Sequence, residues 1–117
     1  MSARPRKAAA TRFELQAAAP LFAALGDETR LKLVARLSGG SPTSIAGLTA
    51  GAGMTRQAVT KHLRVLAAAG LVKSFRSGRE RVWELEPRRV RAARRYLDRI
   101  SAQWDESLDR LRRLVEE

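Results

Sequence analysis

Hydrophobic residues recur every three or four positions along most of this chain, which is the spacing of helices that bury one face. Before Gly26 the recurring residues are Leu15, Ala18, Ala19, Phe22 and Leu25. Pro20 lies inside this stretch, and a proline there either kinks a helix or starts a new turn. We therefore predict a first helix between Phe13 and Leu25.

A second helix is predicted after Gly26. Asp27 suits the N-cap position because its carboxylate can accept a hydrogen bond from a free backbone amide, and Glu28 follows in the first turn, where the helix dipole favours an anion. Gly39 and Gly40 end the pattern. The face expected to be buried carries Leu31, Val34 and Leu37, with Leu33 close by.

A short third helix is predicted to start at Thr43 or Ser44 and to turn Ile45 and Leu48 inwards. Gly47 in its interior costs about 1 kcal/mol relative to alanine. We therefore expect this helix to depend on tertiary packing.

The fourth helix follows the third after a tight turn. Gly53 can adopt the positive φ angle of such a turn, and Thr55 is a suitable N-cap for a helix that runs to Ala69 and stops at Gly70. The side of this helix predicted to meet the core carries Val59, Leu63 and Leu66.

Beyond Gly70 the pattern changes to two short β-prone runs, 71–76 and 81–85, joined by residues 77–80. These runs predict a two-stranded hairpin. Because an isolated hairpin is marginal in water, its large apolar residues are expected to pack on the helices. Those residues are Phe75, Trp83 and Leu85.

Pro87 opens a last long helix that is predicted to extend to residue 115. Its apolar stripe carries Val90, Ala93, Leu97, Ile100, Trp104, Leu108, Leu111 and Val115. Because this stripe is longer than a small body can cover, we predict a homodimer through the first and last helices, with Trp104 as an anchor. The predicted interface residues are Leu15, Phe22, Leu97, Ile100, Trp104, Leu108 and Leu111.

Helix, tight turn, helix and hairpin follow one another in the order of a winged helix-turn-helix. The expected fold is mainly α, with about five helices and a two-stranded wing, and 117 residues suffice for one such domain. We assign residues 1–12 to a flexible basic tail and 13–117 to the domain. Within the domain the helix-turn-helix covers 44–69 and the wing 71–85.

The charge distribution indicates a polyanionic partner. The chain has 23 Lys and Arg against 12 Asp and Glu, a net charge of +11. From Thr29 through Arg79 there is no acidic residue at all, so this acid-free segment can form one positive face. Its nine cations are Arg30, Lys32, Arg36, Arg56, Lys61, Arg64, Lys73, Arg76 and Arg79.

Double-stranded DNA is the predicted partner, because arginine pairs with guanine and glutamine with adenine in the major groove, which admits a helix. The fourth helix contributes Thr55, Arg56, Gln57, Thr60, Lys61, His62 and Arg64 as candidate contacts, His62 lying beside its core-facing side. The hairpin tip contributes Arg76, Arg79 and Arg81, which we expect to reach a phosphate or a minor groove.

The absence of cysteine and the single histidine, His62, argue against a thiolate metal site, a zinc site and a thiol nucleophile. No metal, no cofactor and no enzymatic activity are expected, because a phosphate-binding glycine motif is also missing. No apolar run is long enough to span a membrane, and a cytoplasmic location is expected.

The chain resembles the ArsR-type family of bacterial transcriptional repressors from Phe22 to its end. Residues 25–31 (LGDETRL) are similar to the opening of that family's second helix, where proline often stands at the position of Glu28. Residues 58–66 (AVTKHLRVL) resemble its recognition helix, and residues 69–72 (AGLV) resemble the start of its wing. The resemblance implies a homodimer that binds an inverted-repeat operator and often represses its own operon.

Many members of that family sense metals, and this chain departs from their pattern. Residues 44–49 lack the Cys-x-Cys pair, and the last helix has no histidine. The chain thus resembles the branch that does not sense metals, and an unknown inducer stays open.

Three alternatives stay open from the residues alone. The chain could be a MarR-type regulator or a nonspecific architectural DNA-binding protein. It could also be a dimerisation or partner-binding module in which the long last helix matters and the charge is incidental. Protection of a specific operator in a footprint separates these.

Overall fold

The computed structural model describes residues 11–116. They form α1 (Arg12–Leu25), α2 (Glu28–Leu37), β1 (Thr43–Ser44), α3 (Ile45–Thr49), α4 (Arg56–Ala68), β2 (Val72–Ser77), β3 (Glu80–Leu85) and α5 (Pro87–Glu116). The mainly helical winged helix-turn-helix predicted from the sequence is confirmed.

Side-chain caps set the starts of the first two helices. The Thr11 hydroxyl accepts a hydrogen bond from the Glu14 amide at 3.1 Å, so α1 begins at Arg12, within the segment assigned to the tail. Residues 1–10 of that tail lie outside the described part of the chain. Pro20 does not interrupt α1. Asp27 caps α2 as predicted, because its carboxylate accepts from the Arg30 amide at 3.0 Å.

The sheet has three strands rather than the predicted two. Thr43 pairs with Trp83 and Ser44 with Val82, which places β1 beside β3 in the order β1-β3-β2. Ser44 therefore ends a strand and also caps α3, since its hydroxyl accepts from the Gly47 amide at 3.1 Å. The prediction of a helix starting at Thr43 or Ser44 is wrong by one or two residues, because these residues find a strand partner distant in sequence.

The core lies where α1, α2, α3, α4 and the sheet meet. The predicted core residues of α3 and α4 are confirmed, since Leu48, Val59, Leu63 and Leu66 have no exposed surface. The whole buried cluster is Leu21, Ala24, Leu33, Leu37, Leu48, Val59, Leu63, Leu66, Leu71, Val72, Trp83 and Ala93.

Two helices bury only part of the side that was expected. In α1 Ala18 is buried as predicted, together with Leu21 and Ala24, while Leu15 is exposed over 46% of its surface. In α2 Leu37 is buried as predicted, together with Leu33, whereas Leu31, expected on the core face, is exposed over 51% of its surface. Both helices carry apolar residues on more than one side, so their neighbours decide which side faces inwards.

The hairpin buries only the part nearest the helices. Trp83 is buried and Leu85 packs against the core, as predicted. Phe75 is exposed over 41% of its surface, which corrects the expectation that it packs on the helices. Phe75 lies in the half of β2 nearer the tip of the wing, where the residues are exposed, whereas Val72 at the start of the strand is buried.

The long helix α5 has two unlike halves. Its first half packs on the body through Ala93, through the ring of Tyr96, which lies 5.6 Å from that of Phe22, and through an ion pair between Arg99 and Glu14. At 1.5 Å per residue its 30 residues span about 45 Å, which accounts for most of the 65 Å long axis. Every large apolar side chain of the second half is exposed: Trp104, Leu108, Leu111, Leu114 and Val115.

Candidate DNA interface

The outer side of α4 is cationic, polar and open. The Thr55 hydroxyl caps the helix by accepting from the Ala58 amide at 3.1 Å, and Gly51 and Gly53 in the preceding turn take positive φ angles of 72° and 68°. This turn presents the first turns of α4 to solvent. The exposed side chains there are Arg56, Gln57, Lys61 and Arg64, with Thr60 half-buried beside them.

These side chains differ in whether their polar groups are free to contact a base edge. Thr60 donates its hydroxyl proton to the Arg56 carbonyl at 2.8 Å, so its polar group is already engaged. In the part of the chain that the structure describes, the side chains of Arg56, Gln57 and Lys61 have neither hydrogen bonds nor ion pairs. They can therefore meet an external partner without breaking an internal contact.

The wing places like charges opposite each other. Arg76 and Arg81 are directly paired across β2 and β3, an arrangement that destabilises an isolated hairpin. Arg81 donates to the Ser74 hydroxyl at 2.9 Å. Gly78, with a φ of 65°, forms the tip together with Arg79. A phosphate near this tip would relieve the repulsion.

Other cations of the acid-free segment have partners within the chain. The Arg36 guanidinium donates to the carbonyls of Leu48 at 2.6 Å and Gly47 at 2.7 Å, near the end of α3. Lys32 pairs with Glu28 at 3.2 Å. Lys73 pairs in the same way with Glu84 and Glu86.

His62 does not join the outer side of α4. Its Nδ1 lies 3.5 Å from the Arg30 guanidinium and 3.8 Å from the Asp27 carboxylate, at the start of α2. The neutral ring can accept from Arg30, and the protonated ring can donate to Asp27. Arg30 also donates to the Ala24 carbonyl at 2.5 Å. The cluster therefore ties α4 to the junction of α1 and α2.

This cluster lowers the pKa of one of its members, Asp27. The hydrogen bond from the Arg30 amide lowers the pKa of the Asp27 carboxyl, and the positive charges of Arg30 and His62 lower it further. At the other end of the fold, the Arg88 amide and Lys73 lower the pKa of the Glu86 carboxyl.

The sequence singled out His62 but not its partners. The capping role of Asp27 was readable from Gly26-Asp27-Glu28, whereas its pairing with a residue of α4 depends on a contact across 35 positions of the chain.

Among residues 11–116, no group of three or more His, Asp or Glu side chains is arranged to hold a metal ion. None of the helices described is both long and apolar enough to cross a membrane.

A cationic helix presented by a tight turn, followed by a basic hairpin, defines a winged helix-turn-helix protein. The sequence model of the family described as "Helix-turn-helix domain" matches residues 25–74. HTH-type transcriptional regulator Rv2034 of Mycobacterium tuberculosis is 37% identical over 93 residues, which are 80% of this chain and 83% of that protein.

Solved structures agree with this class. An ArsR-like transcriptional regulator from Rhodococcus sp. RHA1 is 36% identical, with a TM-score of 0.77 over 92% of this chain and 97% of that one. A homodimeric winged helix-turn-helix DNA-binding domain from Mycobacterium bovis shares the fold at 23% identity, with a TM-score of 0.60 over 82% of this chain and 85% of that one. The chain belongs to the ArsR-type family of helix-turn-helix transcriptional regulators.

Proposed function

We propose that this regulator is a repressor that binds an inverted-repeat operator as a homodimer. The observation that carries the proposal is the outer side of α4, where Arg56, Lys61 and Arg64 are exposed and form no ion pair among residues 11–116. In this arrangement α4 enters the major groove and the wing contacts the flanking backbone. Binding chromosomal DNA would place the protein in the cytoplasm.

The two parts of the interface are assigned different tasks. Arg56 and Gln57 lie in the first turn of α4, and their forked side chains can read guanine and adenine edges. Arg76, Arg79 and Arg81 in the wing suit the phosphate backbone, which carries no direct sequence information. The proposal therefore separates specificity in α4 from general affinity in the wing.

The exposed apolar stripe of α5 supports the homodimer. Leu97, Ile100, Trp104, Leu108 and Leu111 are exposed over 42–65% of their surfaces. A second copy of the chain would cover this stripe together with the exposed Leu15 of α1. Phe22 instead packs on Tyr96 of its own chain and is only partly available. The fold shared with the homodimeric M. bovis domain agrees with this arrangement.

Footprinting on the DNA upstream of the protein's own gene tests the proposed function. We expect two protected half-sites about one helical turn apart, because a twofold protein presents both recognition helices to one side of the duplex. Protection of all sequences alike would instead support an architectural role.

Sedimentation of the wild type and of Trp104→Ala tests the homodimer. Truncating a central aromatic of an interface commonly costs about 2 kcal/mol or more, so the variant should dissociate at concentrations where the wild type is dimeric. Arg113→Ala is the matched control, because nine residues along a helix place it on the opposite side of α5. A monomeric wild type at micromolar concentration would overturn the dimer.

A further inference from the structure

A second concentration of positive charge lies at the start of α5, outside the acid-free segment. Between Pro87 and Arg99 the only acidic residue is Asp98. The arginines there are Arg88, Arg89, Arg91, Arg94, Arg95 and Arg99. Within residues 11–116 only Arg99 of these six forms an ion pair, with Glu14. The other five arginines are exposed.

This concentration is unfavourable for the isolated helix. Arg88, Arg91 and Arg95 follow one another at spacings of three and four, where like charges repel. The positive end of the helix dipole is offset by the Glu86 carboxylate, which accepts from the Arg88 amide at 3.4 Å, so the unfavourable contribution is the repulsion among the arginines themselves. Phosphates bound along this side would relieve that repulsion.

The arginines lie far from the recognition side of the molecule. The Glu86 amide donates to the Leu71 carbonyl at 2.8 Å, and the Arg89 side chain packs on Gly70, so α5 begins beside the end of α4. The start of α4 is 13 residues away, about 20 Å along the helix axis. The wing tip is about 20 Å away along the six-residue β3.

The side of α5 that carries Arg88, Arg91 and Arg95 also faces away from the proposed dimer interface. Ala93 points into the core, and helical spacing puts Trp104 on the same side of α5 as Ala93. The three arginines lie on the other side. A second copy seated on the apolar stripe would therefore leave them accessible.

We propose that Arg88, Arg91 and Arg95, which we call the distal arginine row, bind the phosphate backbone of a second DNA duplex. One homodimer would then link its operator to another DNA segment. The row spans about 10 Å along the helix axis, comparable to the axial length of four successive phosphates of one strand, which are separated by three steps of about 3.4 Å. Guanidinium groups bind phosphate oxygens in a two-pronged manner, which suits a linear series of anions.

A capture experiment tests the proposal. The protein is bound to an immobilised operator duplex, and retention of a free fluorescent duplex of random sequence is measured across a salt series. The variant Arg88→Gln/Arg91→Gln/Arg95→Gln removes the row, and Arg110→Gln/Arg112→Gln/Arg113→Gln is the matched control with the same charge change on the same helix. Glutamine is a good helix former, so both variants should keep α5 folded, which circular dichroism checks.

We expect the row variant to retain the second duplex about tenfold less than the wild type does, with a shallower salt dependence. The control should behave like the wild type, and operator affinity should be nearly the same in all three proteins. Equal capture by wild type and row variant would overturn the proposal. Equal loss in both variants would also overturn it, because net charge alone would then explain capture.

Two further arms separate related outcomes. If longer operator flanks strengthen wild-type binding but no second duplex is captured, the row contacts flanks of the same duplex and the proposal of two segments is wrong. Immobilised random-sequence DNA replaces the operator if no specific footprint is found. Arg56→Ala/Gln57→Ala should abolish the footprint and leave row-dependent capture intact, so failure of the operator proposal is distinguishable from failure of the row.

Discussion

Two arginines of the acid-free segment, Arg36 and Arg56, have opposite roles, although nothing in the charge pattern of the sequence distinguishes them. Arg36 donates to carbonyls at the end of α3 and holds α3 against α2. Arg56 begins α4, is exposed and has no ion-pair partner among the described residues. The comparison teaches that a cation's role depends on whether the fold supplies acceptors within its reach.

The same division runs through the whole segment. The engaged set is Arg30, Lys32, Arg36 and Lys73, each with a carbonyl, a carboxylate or an imidazole as partner. The available set is Arg56, Lys61, Arg64, Arg76 and Arg79. Variants of Arg30 and Arg36, which donate to part-buried carbonyls, should lower stability, whereas variants of the exposed pairs of Lys32 and Lys73 should change it little. Variants of the available set should lower DNA affinity and leave the fold intact.

The largest effect is expected from Arg56→Ala or Gln57→Ala on operator binding. Each lost contact with a base edge should cost about 1–3 kcal/mol, and the loss can double because a dimer carries each substitution twice. Titrations on operator and on random DNA measure this. Arg113→Ala, far along α5, is the control, and equal losses on both DNAs would contradict the assignment of base reading.

Arg36→Ala should lower the free energy of unfolding by about 2 kcal/mol, because carbonyls of α3 lose charge-assisted hydrogen bonds. Arg64→Ala is the matched control on the exposed side of α4 and should change stability by less than about 0.5 kcal/mol. Urea denaturation of both variants compares them. Similar losses from the two substitutions would erase the distinction between engaged and available cations.

Asp27→Ala should cost about 1 kcal/mol through loss of the N-cap of α2, while Asp27→Asn retains the cap. Because folding lowers the pKa of Asp27 below its ordinary 3.8, the carboxylate stabilises the fold above that pH. That contribution is lost as the pH falls through the lowered value. In acid melts the stability difference between wild type and Asp27→Asn should shrink, and a constant difference would contradict the coupling.

The smallest effect is expected from Arg79→Ala at the tip of the wing. It should weaken binding to operator and random DNA alike and lower the salt slope by about one unit per lost phosphate contact. Ser77→Ala, also at the tip but uncharged, is the control. A loss confined to the operator would assign Arg79 to base reading instead.

Much of the fold was predictable because local chemistry and tertiary packing agree there. The caps Asp27 and Thr55, the positive φ of Gly53 and the core side of α4 all follow from residues close in sequence. The strand at Thr43 was not predictable, because its partner Trp83 lies 40 positions away. A two-residue strand also carries no hydrophobic period of its own.

The candidate site divides in the same way. The amphipathic pattern of α4 predicted an outer side with Arg56 and Lys61 from one helix alone, and the structure exposes both. His62 was grouped with them, yet it lies against Asp27 and Arg30. Helical spacing predicts the direction of a side chain only to within about one residue. Whether a residue between the buried and the exposed side, such as His62, faces outwards therefore depends on its contacts with the neighbouring helix.

The sequence by itself determined the order of helices, the tight turn, the basic hairpin and the acid-free segment, since each follows from periodicity, caps or composition. Only the tertiary structure decided which cations are engaged and why a glycine, Gly47, stands inside the short helix α3. A Cβ atom at Gly47 would lie 2.9 Å from the Thr43 side chain, so the residue that weakens α3 locally permits its close approach to β1. Such roles depend on contacts between distant parts of the chain, whose geometry exists only once the core has packed.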